Sequence, residues 1–214
     1  MIDAKLAAYV EESRDFYAAR AASRSTESQP DPSTPEGLAE ARALEVARAK
    51  DAATAMSSAP PLGEALAEVA GRRVPVRIIA PEAGTARGVY LDIHGGGFYM
   101  GLAARGDALN RSLANALGIA VVSVDYRLAP EHPWPAASDD CETAALWLLG
   151  EAETRFGTTR LAIGGISAGA TLAMATLLRL RDRGVGDPFV GAVLQFGTYD
   201  MSGKTPAGRL LDGE

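Results

Sequence analysis

The sequence predicts an α/β fold, a mainly parallel sheet flanked by helices. Three observations carry that expectation. From about Val69 onward, short runs rich in β-branched residues alternate with longer helical patterns, the signature of strand–helix–strand units. Residues 119–124 (Ile-Ala-Val-Val-Ser-Val) are apolar almost without interruption, as expected of a strand covered on both faces. Two predicted strands run straight into glycine-rich turns, at Gly95-Gly96-Gly97 and at Gly164-Gly165, where backbone comes too close to something for a side chain to fit.

Residues 1–65 form the first expected region, an N-terminal helical segment. It is rich in Ala, Arg and Glu, and Leu6, Tyr9, Val10, Phe16 and Tyr17 recur at helical spacing. Pro30, Pro32 and Pro35 interrupt it, because proline cannot continue a helix. A second helical pattern runs from about Glu36 to Met56, capped by Ser33 or Thr34, and Pro60-Pro61 ends it. This region reads either as a solvated arm or as a lid over a site. Residues 66–214 form the second region. Val74, Val76, Ile78 and Ile79 make a strand, followed by a strand at 89–93, a helix at 103–117 and a strand at 119–124. A helix at 136–149, a strand at 161–163, a helix at 168–181 and a strand at 190–194 complete the alternation.

Composition narrows the function. The chain has 214 residues, 47% hydrophobic and 22% charged, enough for a sizeable core. Its net charge of -6 makes nucleic acid and anionic membrane surfaces poor partners. No apolar run reaches the roughly 18 residues of a membrane span. The first twelve residues carry Asp3, Glu11 and Glu12 in place of a signal's apolar stretch. The single cysteine, Cys141, allows no internal disulfide and reads as a small buried residue; a cytoplasmic location fits. With His94 and His132 the only histidines, no metal site and no cofactor are expected.

Three motifs carry chemistry. Gly165-Ile166-Ser167-Ala168-Gly169 is a G-x-S-x-G pattern between a predicted strand and a predicted helix, the setting of a nucleophile elbow. Such a turn lifts the Ser167 hydroxyl above the end of the sheet at a helix N-terminus, where N–H groups favour developing negative charge. The competing phosphate-binding patterns fail: Ile166 replaces the second glycine of G-x-G-x-x-G, and Ala170 replaces the P-loop lysine. His94-Gly95-Gly96-Gly97-Phe98 follows a strand and offers bare N–H donors of the kind that stabilise an oxyanion by a few kcal/mol. One further donor of such a hole belongs to the residue after the nucleophile, here Ala168. The proline-stiffened stretch from Asp125 to Pro135 reads as structural, its charged members satisfying loop backbone and its prolines delaying the next helix to Ala136. His94 reads as an orienting residue and His132 as a loop residue. Trp147, Met174 and Leu177 read as core, and Arg179, Arg181 and Arg183 as a solvated helix end.

In this order the three motifs resemble the hormone-sensitive-lipase-like family of α/β hydrolases, the bacterial carboxylesterases, over roughly residues 70–200. The resemblance implies an incomplete α/β-hydrolase fold and makes the N-terminal segment part of a cap. It implies hydrolysis of short- to medium-chain acyl esters without a cofactor, with Ser167 as nucleophile and Gly96, Gly97 and Ala168 as oxyanion donors. Ile166 stands where the family commonly has Asp, and Ala170 where it has a second Gly. In this fold the triad runs Ser, then Asp or Glu, then His, yet no histidine follows Ser167. Asp200 and Asp212 are the acids in reach. At about 30 residues per strand–helix unit, roughly a hundred residues of the fold have no counterpart, so the chain is expected to be a truncated esterase, inactive alone. Its last strand would expose an apolar edge and promote homodimers. Two alternatives share the motifs: an amidase or deacetylase, and a non-catalytic protein that binds a small ligand, as in plant gibberellin receptors, which resemble this family without the catalytic histidine.

Overall fold

The computed structural model describes residues 11–19, 30–55, 63–82, 84–200, 202 and 204; Leu6, Tyr9, Val10, Met56 and Asp212 lie outside them. The chain divides into two compact units, Met1–Ala41 and Arg42–Glu214. Helix α1 (residues 11–19) is exposed throughout, with Phe16 and Tyr17 edge to face at 5.5 Å. Helix α2 (Pro35–Ala55) opens on Thr34, whose hydroxyl accepts the Gly37 N–H at 3.1 Å, as an N-cap should.

The sheet has six strands in the order β1-β2-β4-β3-β5-β6: β1 (Gly63–Val69), β2 (Arg72–Ile79), β3 (Val89–Ile93), β4 (Ala120–Val124), β5 (Leu161–Ile166) and β6 (Phe189–Gln195). The pairs β3–β4, β3–β5 and β5–β6 are parallel; β1–β2 and β2–β4 are antiparallel. The sheet starts earlier than the expected Val69. Gly63–Val69 consists largely of good helix formers, so propensity hides the strand. A tight hairpin overrides it: Ala70 and Gly71 both take positive φ, 51° and 78°, the backbone a two-residue hairpin turn demands.

Helices α4 (Ala136–Phe156) and α5 (Ala168–Asp182) cover one face, packing Trp147, Leu148, Leu172 and Leu180 onto Val122, Leu91 and Ile163. Helix α3 (Asp107–Leu117), entered through a 3-10 turn at Ala103–Gly106, packs on β2 and β4 through a second cluster of Ile79, Ala114 and Val121. Adjacent Val121 and Val122 of β4 thus serve different clusters, as strand alternation requires, and every residue of β4 is buried. Helix α4 begins at Ala136 as expected but runs through Gly150 to Phe156, beyond the expected 149. A mid-helix glycine costs only about 1 kcal/mol, and Arg155 lies over the Trp147 ring at 5.2 Å across the added turns. Gly157 ends the helix at φ 71°. Among the described residues no helix is long and apolar enough to cross a membrane.

The arginines of α5 are not a free solvated end. Arg179 bonds Asp139 at 2.8 Å and Glu142 at 2.9 Å, and Arg183 also bonds Glu142. Only Arg181 keeps to its own neighbour, Asp182. Cys141 is fully buried, and burial pushes its thiol far above the ordinary range.

Candidate active site

The site grows from the carboxyl ends of β3 and β5, neighbouring parallel strands. β5 carries the chain through Gly164, Gly165 and Ile166, and Ser167 reverses it into α5. Ser167 takes φ 56° and ψ -121°, a conformation that strains a residue with a Cβ by about 1–3 kcal/mol. Two bonds hold it there: Ser167 N–H donates to Gln195 O of β6 at 2.7 Å, and Thr171 N–H donates to Ser167 O at 3.1 Å. The side chain is exposed at the N-terminus of a fifteen-residue helix, and Ala168, its first residue, has no intrahelical acceptor for its N–H.

The loop after β3 presses against this elbow. A methyl on Gly95 would lie 2.7 Å from Ile166 O, and one on Gly165 or Gly169 would run into Ile93 O. Small residues are therefore imposed by backbone contact between the two loops. Gly96 and Gly97 take φ 127° and 61°, and Gly96 O closes a turn by accepting the N–H groups of Tyr99 at 3.2 Å and Met100 at 2.8 Å. Among the described residues, no turn or loop hydrogen bond uses the N–H of Gly96, Gly97 or Ala168. The loops thus bring Ser167 and these three residues to the same edge.

His94 bonds Gly95 O through Nδ1 at 2.8 Å and stacks on Tyr126 with centroids 4.1 Å apart. Tyr126 donates its hydroxyl to His94 O at 3.0 Å. Burial lowers the His94 pKa and raises that of Tyr126, favouring the neutral form of each ring at the root of the glycine loop. The orienting bond expected of His94 is present. Sequence reasoning missed the role of Tyr126, since only its contact with a residue 32 positions away reveals it.

The stretch 125–135 behaves as expected for a stiff connection. Asp125 accepts the Ala103 N–H at 3.0 Å, while Arg127 turns instead to Asp140 of α4 at 2.8 Å. Beneath α3, Asn110 and Ser123 both donate to Asp92 Oδ2, at 2.8 Å and 3.2 Å. Burial raises the Asp92 pKa, outweighing these bonds.

Neither histidine engages the nucleophile. His94 points its bonding nitrogen at Gly95, and His132 is exposed on the 125–135 loop; Ser167 hydrogen-bonds to neither. Asp200 is exposed and accepts the Ser202 N–H at 2.8 Å; hydrogen bonding from Ser202, its side chain first and then its backbone, lowers the Asp200 pKa. Among the described residues no cluster of His, Cys, Asp and Glu could hold a metal ion.

Known proteins resemble this chain in sequence and in fold. A family described by the α/β-hydrolase fold matches residues 90–210. An arylesterase of Saccharolobus solfataricus is 37% identical over 133 residues, 62% of this chain and 44% of the arylesterase. The carboxylic ester hydrolase LipN of Mycobacterium tuberculosis is 36% identical over 140 residues, 64% of this chain and 37% of its own length. Among solved structures, a bacterial heroin esterase superposes with a TM-score of 0.72 at 32% identity, covering 88% of this chain and 60% of that one. The chain spans less than half the length of these two curated relatives.

Proposed function

We propose, for a chain that belongs to the hormone-sensitive-lipase-like family of α/β hydrolases, that the protein is a serine carboxylesterase acting on short- to medium-chain acyl esters. Ser167 is its nucleophile. The observation that carries this reading is the positive-φ serine between β5 and α5, with the Gly95 backbone packed against Ile166, the residue before it. Ser167 Oγ attacks the ester carbonyl carbon, and the carbonyl oxygen becomes an oxyanion. The N–H groups of Gly96, Gly97 and Ala168 receive that charge, which exists only in the transition state and the tetrahedral intermediate. The serine proton passes to a histidine and then to the leaving alcohol, and water releases the acyl group.

That histidine and its acid partner are not among the residues gathered here. His94 is held at the glycine loop and His132 lies on an exposed loop. We therefore expect the 214-residue chain alone to retain only the residual catalysis of an oxyanion hole, at most about 10³–10⁴-fold over water.

The test is phosphonylation by a fluorophosphonate at alkaline pH, where hydroxide takes the serine proton. The Ser167 Oγ–P bond forms as P–F breaks and fluoride leaves. Peptide mapping is expected to place the adduct on Ser167, with none formed by Ser167→Ala. An adduct on another side chain, or equal labelling of the Ser167→Ala variant, overturns the assignment.

A further inference from the structure

The glycine loop is gripped from outside by a part of α2 that no motif marks. Arg42 donates from Nε and Nη2 to Tyr99 O, at 2.9 Å and 2.8 Å, and from Nη2 to Ala129 O at 2.6 Å. Its remaining nitrogen, Nη1, meets Glu131 at 2.8 Å. One guanidinium thus bridges the segment just after the glycines to the stretch 125–135. Three residues on, and so on the same side of the helix, Glu45 accepts the Gly101 N–H at 2.8 Å through Oε2 and meets Arg105 at 2.9 Å through Oε1.

The grip reaches the oxyanion loop by direct contact. Gly101 has φ 99°, and a methyl there would lie 2.5 Å from both Gly95 O and His94 Nδ1. Glu45 therefore holds the residue that backs onto the His94–Gly95 bond. Tyr99 N–H and Met100 N–H both bond Gly96 O, so the carbonyl held by Arg42 belongs to the turn that orients Gly96. The side chains of Arg42 and Glu45 are largely buried, at 23% and 15% exposed, where charge-assisted bonds to backbone are stronger than at an open surface.

We infer that Arg42 and Glu45 are positioning residues for the oxyanion hole: α2 clamps the 96–101 turn so that the Gly96 and Gly97 N–H groups stay aimed at the substrate oxygen. The inference rests on the reading of Ser167 and the glycine loop given above, but goes beyond it. The helix then sets the geometry of the donors. Because donors of this kind act on the transition state, a loosened clamp slows the chemical step and leaves reagent binding nearly unchanged.

Hydrogen exchange measured by mass spectrometry on the 214-residue chain tests the clamp without any need for turnover. In Arg42→Ala and in Glu45→Ala, amides of the 94–102 segment are expected to exchange at least tenfold faster, with those of β3, β4 and β5 unchanged. Glu45→Gln keeps an oxygen for the Gly101 N–H and is expected to restore most of the protection. Arg42→Lys, which cannot reach two carbonyls at once, should be intermediate. Wild-type exchange in this segment, or an equal rise across the whole chain, overturns the proposal. A second readout is the fluorophosphonate reaction, where the maximal rate is expected to fall at least tenfold in Glu45→Ala with half-saturation within threefold, and to recover in Glu45→Gln. Labelling that is independent of Ser167 would defeat the nucleophile reading alone; the exchange data would still decide the clamp.

Discussion

At Asp92 the chain places a carboxylate where a strand meets its covering helix. Burial raises its pKa above the ordinary 3.8, and the hydrogen bonds from Asn110 and Ser123 only partly offset this. The sign follows from linkage. The folded protein holds this proton to a higher pH than the unfolded chain does, so the Asp92 contribution to stability falls as pH rises from about 3.8 through the folded pKa. Above that pKa the ionised form is a standing cost. Asp92→Asn keeps the shape and an acceptor for Asn110 while removing the charge. The variant is expected to melt at a higher temperature than the parent near pH 8, with the difference vanishing near pH 4, followed by circular dichroism. A parent that stays the more stable at pH 8 would show that the carboxylate is fully compensated. His94 has the opposite slope: burial lowers its pKa, so its contribution is lost as pH falls below about 6.5. Asp92 is one of the charges that partly offset this lowering, so the comparison is read at pH 8, above the range in which His94 titrates.

Between elements, ion pairs join α4 to its surroundings. Asp139, Asp140 and Glu142 on its first turns meet Arg72 from β2, Arg127 from the 125–135 loop, Arg179 from α5 and Arg183 just past its end. The Arg127–Asp140 pair is the most directional: the guanidinium donates through Nε and Nη2, the Arg127 N–H adds a third bond at 2.9 Å, and Asp140 is only 3% exposed. Arg127→Met leaves that carboxylate with one backbone donor. Because the guanidinium is half exposed, the loss should be about 1–2 kcal/mol, read from urea midpoints at unchanged slope. An unchanged midpoint would show that water replaces the arginine. None of these pairs was legible in the sequence, where the α5 arginines looked like a solvated end, because their partners sit some 40 positions away. The elbow and the glycine loop were legible because their requirements are local: a strand, a turn without room for side chains, a helix. Strand β1 was hidden for the converse reason. Its residues favour a helix, and only pairing with β2 across the Ala70–Gly71 turn decides otherwise. Arg42 and Glu45 look like any charged pair on a solvated helix until the loops they hold are in place.

For the molecule as a whole, the sheet has unequal ends. β1 closes one side as half of a hairpin, with an exposed outer edge studded by Glu64 and Glu68, the kind of charge that discourages strand addition. β6 closes the other, pairing among the described residues only with β5, and there Val190, Val193 and Phe196 are 68%, 47% and 86% exposed. A seven-residue apolar strand with free N–H and C=O groups invites another strand, and the strand of an identical copy is always at hand. The 214-residue chain is therefore expected to self-associate through β6. Light scattering should give a mass above the 22.2 kDa of one chain, rising with concentration. Val193→Lys puts a charge into that surface while leaving the β5–β6 backbone bonds in place, and should bring the mass back toward a single chain without lowering the melting temperature. A parent that remains monodisperse at one-chain mass at every concentration would show that the edge is shielded. Association undiminished by Val193→Lys would move the contact to a different surface.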